Sequence, residues 1–65
     1  MKYVTMIQKN NVVIFQNEFE SQYDEDALKV HADNIEICDR DISEDWDIAH
    51  LIVTDEQGNI IRFVL

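Results

Sequence analysis

The chain has 65 residues, which fits one domain (residues 1–65) whose small core gives it marginal stability. A formal net charge of −9 argues against direct binding to nucleic acid or to a membrane surface, because both are themselves anionic. The single cysteine excludes an internal disulfide, and together with the lack of a long apolar run it favours a reducing cytoplasm.

Two β-type runs near the N-terminus predict a hairpin. Residues 3–8 and 12–16 are rich in β-branched and aromatic side chains, which suit a pleated surface. Asn10 and Asn11 lie between the runs, and asparagine tolerates the left-handed backbone that a tight hairpin turn requires. The chain turns polar at Asn17, where we expect the second strand to have ended.

A helix is predicted from Asp24 to Ile37. Ser21 has the spacing of a helix N-cap, and the carboxylates of residues 24–26 would lie in the first turn, at the positive end of the helix dipole. Residues 34–38 also alternate in polarity, so a shorter helix followed by a short strand stays open. The apolar positions at helical spacing are Tyr23, Ala27, Leu28, His31 and Ile35.

The C-terminal segment predicts a second hairpin, with strands at residues 48–54 and 60–65. The turn between them carries the only glycine, Gly58, which adopts a positive φ without steric cost. Arg62 interrupts the second apolar run, and the alternation then assigns one set of side chains to the core. That set is Ile61, Phe63 and Leu65, facing the same way as Ala49, Leu51 and Val53.

The order hairpin, helix, hairpin predicts an α+β domain: ββαββ, a four-stranded antiparallel sheet with one helix packed on one face. The other face would remain uncovered. Its predicted apolar content exceeds that of an ordinary solvated face and favours a dimer or partner surface. The predicted occupants of this open face are Tyr3, Ile14, Ile52, Ile60 and Val64.

Twelve of the fourteen carboxylates lie between Glu18 and Asp47, opposed there only by Lys29 and Arg40. Crowding of like charges destabilises a small domain, so its presence indicates a basic partner surface. Carboxylates at alternate residues of an extended loop recur at about 7 Å, similar to the phosphates of a nucleic-acid strand. The predicted contact residues are Asp24, Glu25, Asp26, Asp39, Asp41, Glu44, Asp45, Trp46 and Asp47, with Trp46 as an apolar anchor.

Catalysis and metal binding have little support in the sequence. His31, on the apolar helix face, is predicted to be a packed core residue. Cys38 is predicted to be a small, buried or half-buried thiol whose acidic neighbours raise its pKa. Residues 39–47 place oxygens at alternate positions, as in an EF-hand calcium loop. However, Glu44 stands where that loop has glycine, and His50 stands where it has a bidentate glutamate. We expect no enzyme, no cofactor and no metal site.

The architecture, the small size and the ending VTDEQGNIIRFVL resemble small phage and mobile-element inhibitors of host defence, including ββαββ anti-CRISPR proteins. The chain is also similar to the acidic uracil-DNA glycosylase inhibitors and anti-restriction proteins that imitate DNA. The resemblance implies a cytoplasmic inhibitor in a bacterial host cell. Its partner would be a basic nucleic-acid-binding protein: a CRISPR effector, a restriction enzyme or a repair enzyme. The alternative is a small dimeric structural or interaction module whose acidic segment only solubilises it.

Overall fold

Five elements in the order ββαββ make up the computed structural model, which describes residues 1–65. They are β1 Lys2–Lys9, β2 Val12–Glu20, α1 Asp24–Asp41, β3 Ile48–Thr54 and β4 Ile60–Phe63. The strands form one antiparallel sheet in the order β2-β1-β3-β4. The helix α1 packs against β1, β2 and β3. The predicted α+β fold, with one helix on a four-stranded antiparallel sheet, is confirmed.

The first hairpin forms as predicted, but its second strand is longer. Asn10 (φ 51°) and Asn11 (φ 65°) adopt the left-handed backbone that the tight turn requires. β2 continues through the polar residues 17–20 because they pair with β1, and the ring of Phe19 packs on the core. Ile14 is the extra residue of a bulge without a cross-strand partner, so its predicted place in a regular open face is wrong.

The hydrophobic core lies between α1 and the side of the sheet that faces it. Its buried cluster consists of Tyr3, Ala27, Leu51 and Val53. The Phe19 ring stacks on Tyr3 with centroids 5.7 Å apart, and Val64 packs against the same cluster. The prediction that placed Tyr3 and Val64 on the open face is therefore wrong, since both lie on the side of the sheet that the helix covers.

The helix is longer than predicted and presents a different face to the sheet. Residues 34–38 are helical, which excludes a strand there. The buried helical residues are Ala27, His31, Asn34 and Cys38, at spacings of four, three and four. Leu28 and Tyr23 are 37% and 55% exposed, so their predicted burial is wrong. The predicted N-cap, Ser21, does not cap the helix. The N-cap residue is Tyr23, and the Ser21 hydroxyl donates a hydrogen bond to the Tyr23 carbonyl (3.2 Å).

The register of β4 differs from the prediction by one residue. Arg62 lies opposite Val53, after a bulge between Val53 and Thr54, and so points toward the helix. Ile61, Phe63 and Leu65 are consequently exposed, and the prediction that they face the core is wrong. Because side chains alternate with a period of two, a shift of one residue moves every side chain to the other face.

The face of the sheet away from α1 exposes fewer apolar side chains than expected. Val4 and Ile52 lie in its middle but are only 5% and 2% exposed. Neighbouring side chains, including those of Glu18 and Ile60, line a small concavity around them. An ion pair between Lys2 and Glu18 (3.2 Å) makes the β2 side of this face polar. The exposed apolar side chains of this face lie around its margin, where Val13, Ile48, Ile60 and Phe63 are 43%, 45%, 54% and 55% exposed.

Candidate functional site

The nine predicted contact residues form two groups at opposite ends of α1. Residues 24–26 make up the first helical turn. Asp39 and Asp41 belong to the last turn, and residues 44–47 lie in the segment that connects α1 to β3. A helix of 18 residues is about 27 Å long, so the two groups do not form one small patch.

In the first group, Asp24 is already bound to other residues of the fold. The guanidinium of Arg62 donates two hydrogen bonds to the carboxylate of Asp24 (2.8 and 2.9 Å), and the Tyr3 hydroxyl donates a third (2.6 Å). These bonds, with that of Arg62 the strongest influence, hold the pKa of the Asp24 carboxyl below its usual value. Asp24 therefore ties the start of the helix to β1 and β4, and its charge is already compensated. Glu25 and Asp26 are exposed.

The second group, which we call the acidic end (residues 39–47), is held in place by hydrogen bonds. The indole Nε1 of Trp46 donates to the carboxylate of Asp39 (2.8 Å), which folds the connecting segment back onto the helix. The backbone N–H of Asn10 donates to the carboxylate of Asp47 (2.6 Å), and the N–H of Asp47 donates to the carbonyl of Gln8 (2.9 Å). The acidic end is thus anchored both to α1 and to the first hairpin.

The charge of the acidic end is concentrated and only partly compensated. Its five carboxylates are opposed by one guanidinium, which leaves a net charge of −4. Arg40 Nε lies 3.1 Å from the carboxylate of Asp41, whereas Glu44 and Asp45 are exposed and make no ion pair. The last turn of a helix carries the negative end of its dipole, so Asp39 and Asp41 are placed where a carboxylate is electrostatically unfavourable.

The predicted regular spacing of carboxylates along an extended loop is only partly present. Asp39 and Asp41 lie on the helix, where residues two apart point to different sides, so the strand-like spacing predicted for this pair is wrong. Glu44, Asp45 and Asp47 lie outside any helix or strand, in the connecting segment. The carboxylates of the acidic end therefore form a cluster without regular spacing.

The outer side of α1 carries two carboxylates that the site prediction omitted, those of Asp33 and Glu36. Both are exposed; Lys29 lies four residues before Asp33, and Arg40 lies four residues after Glu36. Opposite charges at this spacing are typical of a solvated helix surface. This charge pattern is visible in the sequence. Because the charges on the outer side of α1 are partly balanced, the largest net charge remains on residues 39–47.

A buried chain of polar side chains crosses the core, and no sequence pattern indicated it. The Asn17 amide donates to the Asn34 carbonyl oxygen (3.2 Å), and the Asn34 amide donates to the Thr5 hydroxyl (3.0 Å). Thr5 Oγ1 lies 3.0 Å from His31 Nδ1. Burial lowers the pKa of His31, which favours the neutral imidazole that this hydrogen bond with Thr5 requires. Each of these side chains has a hydrogen-bond partner. His31 is therefore a packed core residue, as predicted.

The remaining reactive side chains are not assembled into a site. Cys38 is fully buried, as predicted, and burial, with smaller contributions from Asp39 and Glu44, raises the pKa of its thiol. No group of three or more His, Cys, Asp or Glu side chains is arranged to hold a metal ion. The alternate oxygens of residues 39–47 are therefore not gathered around one point.

The fold and the site define a small two-layer α+β domain with one acidic end. No protein-family model matches the chain, and no curated protein or solved structure was found to be similar to it. The single helix is not long and apolar enough to cross a membrane.

Proposed function

We propose that the protein is a non-enzymatic binding module whose acidic end occupies a basic groove on a partner protein. The groove is of the kind that otherwise holds nucleic-acid phosphates. By occupying it, the module inhibits a defence or repair protein of a bacterial host. The observation that carries the proposal is the uncompensated charge of −4 over residues 39–47, held at the negative end of a helix dipole.

The location of this charge supports a binding role over a purely solubilising one. Solubility depends on net charge and is served equally well by carboxylates spread over the surface. The five carboxylates of the acidic end repel one another, and Asp39 and Asp41 also lie at the negative end of the helix dipole, so both effects lower the stability of the fold. A basic partner surface removes both penalties when it binds.

The hydrogen bonds of the acidic end support the same proposal. Trp46 and Asp47 fix the connecting segment to Asp39 and to Asn10, so Glu44 and Asp45 are carried on an ordered backbone. An ordered segment loses less conformational entropy on binding than a mobile acidic tail. Trp46 is half-buried and Ile42 is 39% exposed, which adds apolar contact area beside the charges.

The partner that fits is a cationic protein of the cytoplasm. Lysine and arginine side chains that line a nucleic-acid groove would meet the carboxylates in place of phosphates, and binding would weaken with added salt. Cys38 is unpaired and buried, which suits a reducing compartment.

The test compares two triple charge reversals that change the net charge equally. In one variant Asp41, Glu44 and Asp45 become lysine at the acidic end. In the matched control Glu20→Lys, Asp33→Lys and Glu56→Lys, the three reversed charges lie outside the acidic end and outside the first turn of the helix. All six side chains are exposed, so circular dichroism should show both variants folded.

The probe is the fraction of a bacterial lysate that binds heparin, passed over each immobilised variant at low and high salt and then challenged with duplex DNA. Proteins retained by the wild type should elute with salt and with DNA. The acidic-end variant should bind more weakly by up to about 100-fold, since three surface ion pairs of up to about 1 kcal/mol each are lost. The control should retain most of its binding. Equal losses in both variants, or retention that DNA does not compete, would refute the proposal.

A further inference from the structure

The edge strand β4 is apolar and exposed along its whole length. All four of its residues are exposed, and Ile60, Ile61 and Phe63 are 54%, 60% and 55% accessible. Leu65, just beyond the strand, is 60% accessible. An edge strand also presents a row of backbone N–H and C=O groups without partners in the sheet. β4 therefore combines apolar side chains with unused backbone hydrogen-bonding capacity.

No layer of the fold covers β4 on either face. The helix packs against β1, β2 and β3, and it reaches β4 only through the ion pair of Asp24 with Arg62. On the other face, the ring of His50 meets the edge of the Phe63 ring with centroids 5.2 Å apart, and the Phe63 side chain stays exposed. On the helix side β4 is thus exposed because α1 lies over the other three strands, and on the opposite face it is exposed because no second layer packs there.

The opposite edge of the sheet is protected in the way that edge strands usually are. β2 carries the exposed carboxylates of Glu18 and Glu20, and a bulge at Ile14 interrupts its regular pairing with β1. β4 carries only one charged side chain, Arg62, and that charge is compensated by Asp24. One edge is therefore closed to strand addition and the other is open.

We propose that β4 pairs antiparallel with β4 of a second copy of this chain, joining two sheets into one of eight strands. Each copy has a net charge of −9, so two copies approach most favourably through a surface without carboxylates. Residues 60–65 contain none, whereas the helix and the acidic end carry most of the charge. Because only one edge is open, the contact is two-fold and closes at a dimer instead of extending into a fibre.

The size of the contact predicts a weak, reversible dimer. Four large apolar side chains that are each a little over half exposed offer roughly 400 Å² per copy, if each has about 200 Å² in total. A standard interface buries about 800 Å² per partner, so this contact belongs with the weak and transient ones. Added salt should strengthen it by screening the repulsion between two acidic chains, whereas salt should weaken binding through the acidic end. The two interactions are therefore separable in one titration.

The experiment is sedimentation equilibrium of the full chain over a range of protein and salt concentrations. The wild type should move from monomer to dimer as protein concentration rises, and more readily at high salt. The double variant Ile61→Lys with Phe63→Lys should remain monomeric, although its lower net negative charge would by itself favour association. The matched control, Val12→Lys with Val13→Lys on the exposed side chains of β2, should dimerise like the wild type.

Amide hydrogen exchange of the wild type gives a second readout that does not depend on a variant. Exchange in β4 should slow as protein concentration rises, while exchange in β2 should not. The proposal is overturned by a wild type that stays monomeric at its solubility limit. It is equally overturned if both double variants behave alike, or if the concentration-dependent protection appears in β2.

Discussion

The chain of buried polar side chains between α1 and the sheet offers the sharpest test of what holds the two layers together. The Thr5 hydroxyl is at its centre: it accepts a hydrogen bond from the Asn34 amide and lies 3.0 Å from His31 Nδ1. Thr5→Val replaces this hydroxyl with a methyl group of similar size. The substitution removes two hydrogen bonds and leaves the packing almost unchanged.

The expected loss follows from burial. Thr5 is 0% exposed, so water cannot replace the hydroxyl, and both Asn34 and His31 lose a partner. A buried polar group without a partner costs about 1–3 kcal/mol, which gives about 2–6 kcal/mol for the two groups. A domain of this length has an unfolding free energy of about 3–10 kcal/mol, so the loss is a large share of the total. The melting temperature should fall by roughly 10 °C or more.

The measurement is urea unfolding followed by far-ultraviolet circular dichroism. Thr5→Ser is the matched control, because it keeps the hydroxyl and removes only a methyl group, at a cost of about 1 kcal/mol. The double variant Thr5→Val with Asn34→Leu tests the coupling between the two residues. It should lose less than the sum of the single variants, since each substitution removes a partner of the other. A Thr5→Val protein as stable as Thr5→Ser would show that this polar chain does not hold the layers together.

Two further predictions concern pH and rest on pKa values that differ between the folded and unfolded chain. Burial lowers the pKa of His31, so near about pH 6.5 the unfolded chain takes up a proton that the folded chain does not. The unfolding free energy should therefore fall as the pH is lowered from about 7 to about 5. His31→Asn, whose Oδ1 can accept the Thr5 hydrogen bond, should flatten this slope in urea titrations; an unchanged slope would assign it to other groups. Arg62 lowers the pKa of Asp24 from 3.8, so the stability that Asp24 contributes is present above that pH and disappears as the pH falls through the lower folded-state value. Asp24→Asn should therefore be less stable than the wild type at neutral pH and equal to it in strong acid, and a difference that stays constant with pH would contradict this.

The sequence was most informative where a pattern depends on neighbouring residues. The two hairpins followed from β-branched runs joined by turn-forming residues, and Asn10, Asn11 and Gly58 all have the positive φ that their turns require. The helix followed from its apolar spacing and its acidic first turn. These local signals were enough to derive ββαββ and the sheet with one covered face.

The sequence predicted which residues of the candidate site are acidic, but it did not predict how they are arranged in space. The surplus of carboxylates over residues 39–47 is visible in the sequence. The structure adds that Asp39 and Asp41 belong to the helix and that Trp46, seven residues further along the chain, folds back onto Asp39. The compensation of Asp24 depends on Arg62, which lies 38 residues away.

By itself, therefore, the sequence determined the order of the elements, the location of the turns and the acidic character of the middle of the chain. Only the tertiary structure decided which side of each element is buried. Arg62 points to the helix because it meets Asp24, and Asn34 is buried because Thr5 and Asn17 satisfy its amide. The physical reason is that alternation in a strand, and periodicity in a helix, leave the choice of side to long-range partners. Here those partners are polar, and they turned the apolar residues of β4 outward.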